Sequence, residues 1–306
     1  MTPDGVHHVT CITGDAPRNL DFYVRVMGMR LVKKTVNQDD PTVYHLFYGD
    51  EEGSPGFDLT FFEYPGAARG RHGDGMLHTV VFRVASPAAL HFWAARLEAE
   101  GVTMERGEGG LWFEDPEGLG LQIIVEDVPD RPLPAVAPDV PPEHAIIGFA
   151  GVRAYASAPE HSAPLLEALG FRALDDGRWV ARGDLRGGWI RYEPPPAEGR
   201  GAPGAGTTHH VAWAIPLGDE DDWQSLATRA GARATPVIDR FYFRSIYFRE
   251  PSGVLFELAT MGPGFAVDED VATLGEKLAL PPFLEQHRAQ IEAAVTPLPP
   301  LDRLRR

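Results

Sequence analysis

The sequence has one cysteine, Cys11, among 306 residues, which excludes an intramolecular disulfide and a thiolate-rich metal site. It is also short of positive charge: 28 Lys and Arg stand against 44 Asp and Glu, a formal net charge of -16. Nucleic acids and anionic membrane surfaces are gripped by basic patches, so neither is expected as a partner. Long apolar runs are missing too, and a stretch such as 121–125 is far too short to cross a bilayer. The opening Met1-Thr2-Pro3-Asp4-Gly5 has no basic segment leading into an apolar one, so no secretory signal is expected and a reducing cytoplasm is the expected location. What is present is an ordinary globular composition, 43% hydrophobic and 24% charged, long enough for one large or two medium domains with small molecules as partners.

One pattern recurs four times: an alternating strand, an amphipathic helix, then short β-rich segments punctuated by Gly and Pro. The first copy predicts strands at 5–13, 44–48 and 57–62 and a helix at 17–27, where Leu20, Phe22, Tyr23 and Val26 fall at helical spacing. The second predicts a strand at 76–84, a helix at 87–100 stopped by Gly101, and a strand at 119–125. The third predicts a strand at 148–156, a helix at 159–169 and strands at 179–181 and 189–192; the fourth, a strand at 208–215, a helix at 221–230 and strands at 245–248 and 254–259. The Pro- and Asp-rich stretch 128–143 reads as a linker and 194–206 as a long loop. The chain thus divides into 1–140, with modules 5–66 and 76–127, and 141–306, with modules 147–195 and 207–262 and a tail 263–306. In that tail a helix is expected at 281–295, followed by partly mobile Pro-rich coil.

Two of the four opening strands carry a doubled histidine, His7-His8-Val9-Thr10 and His209-His210-Val211-Ala212. The slot of the second histidine holds Thr79 in the second copy and roughly Ala150 in the third, so only the outer copies offer an imidazole. Glu257 lies in the mostly apolar closing strand Gly253-Val254-Leu255-Phe256-Glu257-Leu258, where a lone acid is costly unless it is paired or binds a cation. The matching positions hold Gln122 in the second copy and about Thr60 in the first, and neither neutralises a divalent ion. A single strand histidine is as readily a core residue with a backbone partner. Two doublets with a register-matched acid favour a metal site of His8, His210 and Glu257. Two neutral imidazoles and one carboxylate form the facial triad of non-haem Fe(II) oxygenases, which leaves coordination positions open for substrate and dioxygen.

At these residues the chain resembles the vicinal oxygen chelate superfamily, the group of glyoxalases, bleomycin resistance proteins and extradiol dioxygenases, and within it the hydroquinone-type ring-cleaving dioxygenases. The likeness spans almost the whole sequence and includes the blocks 28–40, Tyr44-His45-Leu46-Phe47-Tyr48, Gly53-Ser54-Pro55-Gly56, 261–265, 274–278 and 281–285. It implies an α+β fold in which four βαβββ modules form two incomplete β-barrels with outer helices, plus a C-terminal helical tail. Because the ligands fall in copies one and four, those copies must meet in space, leaving copies two and three as a barrel without metal. The implied activity is that of an Fe(II)-dependent dioxygenase, with Mn(II) as the alternative ion. It would open the ring of a hydroquinone or related dihydroxylated aromatic using both atoms of dioxygen. The implied partners are a small aromatic substrate and dioxygen, with a homo-oligomer left open.

The resemblance also implies roles near the substrate for Tyr247, Arg240, His209, Thr10 and His7. A phenol at Tyr247, on the strand beside Glu257, could hydrogen-bond a bound phenolate, though a half-buried strand aromatic is an equally ordinary reading. Arg240 could offset anionic substrate charge, although an arginine at a strand start is commonly just solvated. Thr10 shares the face of His8; His7 and His209 fall on the opposite face and reach the site only if a bulge or a strand end turns them back. Phe241, Tyr242, Phe243 and Phe248 suit a flat ring but equally suit a core, and Trp213 falls on the outer face. Two other readings stay open. A glyoxalase-like isomerase or lyase using Zn or Ni usually needs a second carboxylate where Thr60 stands. In a non-catalytic protein that binds an aromatic or an antibiotic, a complete triad would be superfluous.

Overall fold

Each repeat folds as a strand, a helix and three strands, and the computed structural model describes residues 1–107, 109–197 and 199–301. Module one comprises β1 (Val6–Thr13), helix α1 (Ala16–Leu20) continued by a π-helical segment Asp21–Val26, β2 (Arg30–Asn37), β3 (Asp40–Gly49) and β4 (Asp58–Glu63). Module two comprises β5 (Leu77–Val84), α2 (Pro87–Ala99), β6 (Met104–Gly107), β7 (Gly110–Glu114) and β8 (Gly120–Val125). Module three comprises β9 (Phe149–Tyr155), α3 (Ala163–Ala168), β10 (Arg172–Ala173), β11 (Arg178–Arg182) and β12 (Gly187–Glu193). Module four comprises β13 (Thr208–Ile215), α4 (Glu220–Arg229), β14 (Ile238–Asp239), β15 (Phe243–Arg249) and β16 (Leu255–Pro263), and α5 (Arg288–Ala294) follows in the tail.

The helices start where local chemistry satisfies their free N–H groups. Ser86 caps α2 by accepting from the Ala89 N–H, Pro87 fills the first turn, and Ala89, Trp93, Ala94 and Leu97 form the buried stripe. The helix expected at 159–169 is shorter: a 3-10 turn spans Pro159–His161, and α3 restarts at Ala163 because Pro164 cannot donate the bond a continuous helix would need. The tail helix is also shorter than expected, a 3-10 turn at Glu285–His287 leading into α5, and the last expected coil residues, 302–306, lie outside the described residues. No helix among the described residues is long and apolar enough to cross a membrane.

The strands form two eight-stranded mixed sheets, each an incomplete barrel. One has the order β14-β15-β16-β13-β1-β4-β3-β2, the other β10-β11-β12-β9-β5-β8-β7-β6. Modules one and four therefore share a sheet, as do two and three. In the first, β1 runs antiparallel to β13, and each is flanked by a parallel closing strand, β4 and β16. A large apolar cluster, including Trp93, Trp213 and Trp223, takes up side chains from both sheets and the helices. A smaller cluster with Phe47, Tyr242, Phe243 and Phe265 packs with Ala212 and Ala259 of the first sheet, and another with Val81, Ala150 and Trp189 belongs to the second.

Candidate metal centre

Strand pairing brings the ligands together. His210 lies opposite Thr10 across the β1–β13 seam, with His8 opposite Ala212, and Ala212 in turn pairs with Glu257 on β16. The two imidazoles and the carboxylate are all buried and converge: His8 Nε2 and His210 Nε2 lie 3.2 Å apart, and Glu257 Oε2 is 3.2 Å from the first and 2.8 Å from the second. Bonds of about 2.1 Å to one ion place neighbouring ligand atoms about 3 Å apart, so this triangle has the size of one face of a coordination shell. The three residues are a group that could hold a metal ion.

A second observation supports the fit. Glu257 is fully buried, yet neither of its oxygens accepts an aligned hydrogen bond. A buried carboxylate left so is costly, and a cation at the point where the three ligand atoms converge removes that cost. Burial would push the Glu257 carboxyl up, but His8 and His210 beside it hold it well below the usual carboxylate range.

The doubled histidines are explained by a pair of β-bulges. From Val6 to His8 the partner strand advances by one residue only, and from Thr10 to Cys11 it advances by two, which leaves His7 and His209 as the extra residues. The bulge that the expectation required is therefore present at both. His7 Nδ1 lies 2.9 Å from His8 Nδ1, and His209 Nδ1 lies 2.7 Å from His210 Nδ1. Tautomers follow from the backbone. The Thr260 carbonyl can only accept, so the His7 Nε2–H at 3.2 Å donates to it, and His7 Nδ1 is left to accept from the His8 Nδ1–H. His8 Nε2 then carries a lone pair facing the triad, the arrangement that a partner behind a metal-ligating histidine enforces. Burial, with His8 next to it, lowers His7 to about 3, and burial, with His210 next to it, lowers His209 to about 4, so both are neutral at pH 7.

The remaining expected residues lie near the triad in different ways. Thr10 is fully buried and its Oγ1 is 2.9 Å from His210 Nε2. Tyr247 pairs with Glu257 across β15–β16, its ring edge-on to His210 with centroids 5.9 Å apart. Burial and the Glu257 carboxylate raise the Tyr247 phenol, so it keeps its proton at neutral pH. Arg240 sits in the turn between β14 and β15, its guanidinium 5.6 Å from the Tyr247 ring centre. It is not a free cation: Asp39 of the β2–β3 turn accepts two hydrogen bonds from it, at 3.0 and 2.9 Å, while the Gln38 amide donates to its carbonyl at 2.7 Å.

Around the triad Tyr247 and Arg240 line a cavity of about 50 Å³ together with Phe47, Phe62, Tyr242 and Phe243, whereas Thr10, His7 and His209 sit behind the ligands and do not line it. Of the aromatic candidates, Tyr242 and Phe243 line it, whereas Phe248 packs on Phe256, and Trp213 packs on Phe171 and Phe256 as its outward face required. The residue that sequence reasoning missed is His45, which lines the same cavity, its ring between Phe47 and Phe62 at centroid distances of 4.0 and 4.4 Å. Its signal was the alternation of His45 and Phe47 on one strand face.

The second barrel repeats the plan without the ligands. Its seam strands β5 and β9 carry matching bulges at His78 and Ala150. The third-copy slot is therefore Gly151, one residue beyond the expected Ala150, because Ala150 is the bulged residue that corresponds to His209. A Cβ on Gly151 would lie 2.4 Å from the Trp189 ring, so the indole fills the space that His210 fills in the first barrel.

The sequence matches the Glyoxalase/Bleomycin resistance protein/Dioxygenase superfamily over residues 5–123 and 165–258. It is 44% identical over 304 residues, 96% of each chain, to a Bacillus subtilis (strain 168) protein named "Putative ring-cleaving dioxygenase MhqO". It is 33% identical over 301 residues, 92% of each chain, to the chlorohydroquinone/hydroquinone 1,2-dioxygenase of Sphingobium indicum. A crystal structure from Bacillus subtilis, described as a "putative dioxygenase", superposes with a TM-score of 0.90 at 40% identity, covering 97% of this chain and 98% of that one.

Proposed function

Since the chain belongs to the glyoxalase, bleomycin resistance protein and dioxygenase superfamily, we propose that the cup built by modules one and four is an iron-dependent ring-opening site. Its substrate is a hydroquinone or a related dihydroxylated aromatic, and both atoms of dioxygen enter the product. The observation that carries this reading is the ligand count. Glu257 is the one carboxylate in the ligand triangle, the other acid lining the cavity, Asp39, being paired with Arg240, and Thr60 stands where an isomerase would place a second acid. Similarity to a relative named as a chlorohydroquinone/hydroquinone 1,2-dioxygenase supports this substrate class.

His8, His210 and Glu257 would hold the ion, which when bound lowers the pKa of a phenolic hydroxyl and links an electron-rich ring to dioxygen. The chain supplies the rest. Phe47, Phe62 and Phe243 form apolar walls for a flat ring and keep water from it. Tyr247, with its phenol protonated, donates a hydrogen bond or a proton to a substrate oxygen. His209, whose Nδ1 lies 2.7 Å from His210 Nδ1, would hold the orientation and tautomer of that ligand. Arg240 holds an anionic oxygen by exchanging its bonds to Asp39. A cavity of about 50 Å³ has room for one or two waters, so admitting a ring would require its lining side chains to move apart.

The test is an oxygen electrode with anaerobically purified, Fe(II)-loaded protein. One dioxygen consumed per hydroquinone, and none with Glu257→Ala, is the expected result. Cleavage of catechols alone would overturn the substrate assignment, and oxygen-independent isomerisation of a glutathione hemithioacetal would overturn the reaction class.

A further inference from the structure

We propose that His45 is a positioning residue that acts through Thr60 to fix the direction of the Thr10 hydroxyl beside the ligand triad, an inference that rests on the ring-opening reading above. Three contacts make an unbranched chain. His45 Nε2 lies 2.9 Å from Thr60 Oγ1, Thr60 Oγ1 donates to Thr10 Oγ1 at 2.8 Å, and Thr10 Oγ1 lies 2.9 Å from His210 Nε2. Both threonines are fully buried, so no solvent competes for their hydroxyls.

Hydrogen counting gives the chain a direction. Thr60 has one hydroxyl hydrogen and spends it on Thr10, so the His45–Thr60 contact requires a hydrogen on His45 Nε2. Thr10 then accepts from Thr60 and keeps its own hydrogen for the His210 side. A cation engaging the His210 Nε2 lone pair would leave that hydrogen without its acceptor and available to another oxygen beside the triad. Were the hydrogen of His45 on Nδ1 instead, its bare Nε2 would take the Thr60 hydroxyl hydrogen, and Thr10 would lose its donor and its defined orientation. The ring of His45 is itself pinned between Phe47 and Phe62, which is what a fixed donor needs.

Three variants and one spectrum test this. Imidazole ¹⁵N NMR on the metal-free protein reads the tautomer: the proposal expects the hydrogen of His45 on Nε2 in the parent chain and loss of that preference in Thr60→Val. A hydrogen on Nδ1 in the parent chain would overturn it. In the loaded enzyme, His45→Phe and Thr60→Val each lower kcat about 10- to 100-fold, the range for partners behind a metal site, with KM and metal stoichiometry little changed. Their effects do not add, because either change breaks the same chain. His45→Gln, whose amide can still donate, recovers most of the rate; unchanged kcat in His45→Phe, or no recovery in His45→Gln, contradicts the assignment. Absence of oxygen uptake by the parent chain counts against the ring-opening reading and not against His45, whose tautomer is read without metal or substrate.

Discussion

In the barrel of modules one and four, the inward positions along the seam hold His8, His210, Thr60 and Glu257; at the same register in the barrel of modules two and three stand Thr79, Gly151, Gln122 and Arg191. The backbone plan is shared down to the pair of bulges, so the bulges belong to the fold and do not depend on a ligand set. The chemistry resides in the four side chains. Where the first barrel leaves a buried carboxylate without an aligned donor, the second neutralises its charges internally. Arg153 donates to Gln122 at 3.0 Å and to Glu193 at 2.5 Å, with its guanidinium 4.5 Å from the Trp112 ring centre, and Glu193 also approaches His78 at 3.3 Å. Space is a poor guide here: a cleft of about 910 Å³ opens beside the second barrel, yet among the described residues the one group able to hold a metal is His8, His210 and Glu257 in the first. One barrel is thus open to a cation and the other is closed on itself by its own ion pairs.

The largest expected effect that sharpens this contrast is on stability. Its bonds to His78 and Arg153 bring Glu193 down to about 2 from the ordinary glutamate value of 4.5. A depressed carboxyl contributes stability that is present above the unfolded value and lost as pH falls through the folded one. Discounted for solvent screening of this partly exposed carboxylate, Glu193 should contribute about 2 kcal/mol above pH ~4.5, fading towards pH ~2. Urea unfolding of the parent chain and Glu193→Gln should differ by roughly that amount at pH 6, and the gap should shrink below pH ~4.5 and close only near pH ~2. A gap independent of pH would mean that the second barrel is not held by this charge pairing.

A smaller effect separates the two bulged histidines. His7→Phe keeps the ring but removes the acceptor behind His8, and should weaken metal affinity about 10- to 100-fold in a calorimetric titration. His78→Phe, at the corresponding bulge of the other barrel, should leave metal affinity unchanged. Equal losses in both variants would break the comparison.

The ligands were legible in the sequence because His8, His210 and Glu257 violate the apolar pattern of the strands that carry them, and burial makes such violations informative. Module pairing was legible once two ligands fell in copies one and four. β2 was not read as a strand because Arg30, Lys33 and Lys34 interrupt its alternation. Lys33 is fully buried only because Asp268 and Glu269, in the distant tail, pair with it. The bulges were equally hidden, since an extra residue alters register without altering composition, and that displaced the third-copy slot from Gly151 to Ala150. The inward role of His45 depends on Thr60 and Thr10, neighbours that only strand pairing supplies.

The central claim, that one barrel holds a single ion and the other none, is tested most directly by anaerobic titration of metal-free protein with Fe(II), followed by calorimetry and metal analysis. The account predicts one ion per chain in the parent protein and no tight binding in Glu257→Gln, the variant that gives the first barrel an amide like that of Gln122 in the second. Two ions per chain, or one ion retained in Glu257→Gln, would contradict it.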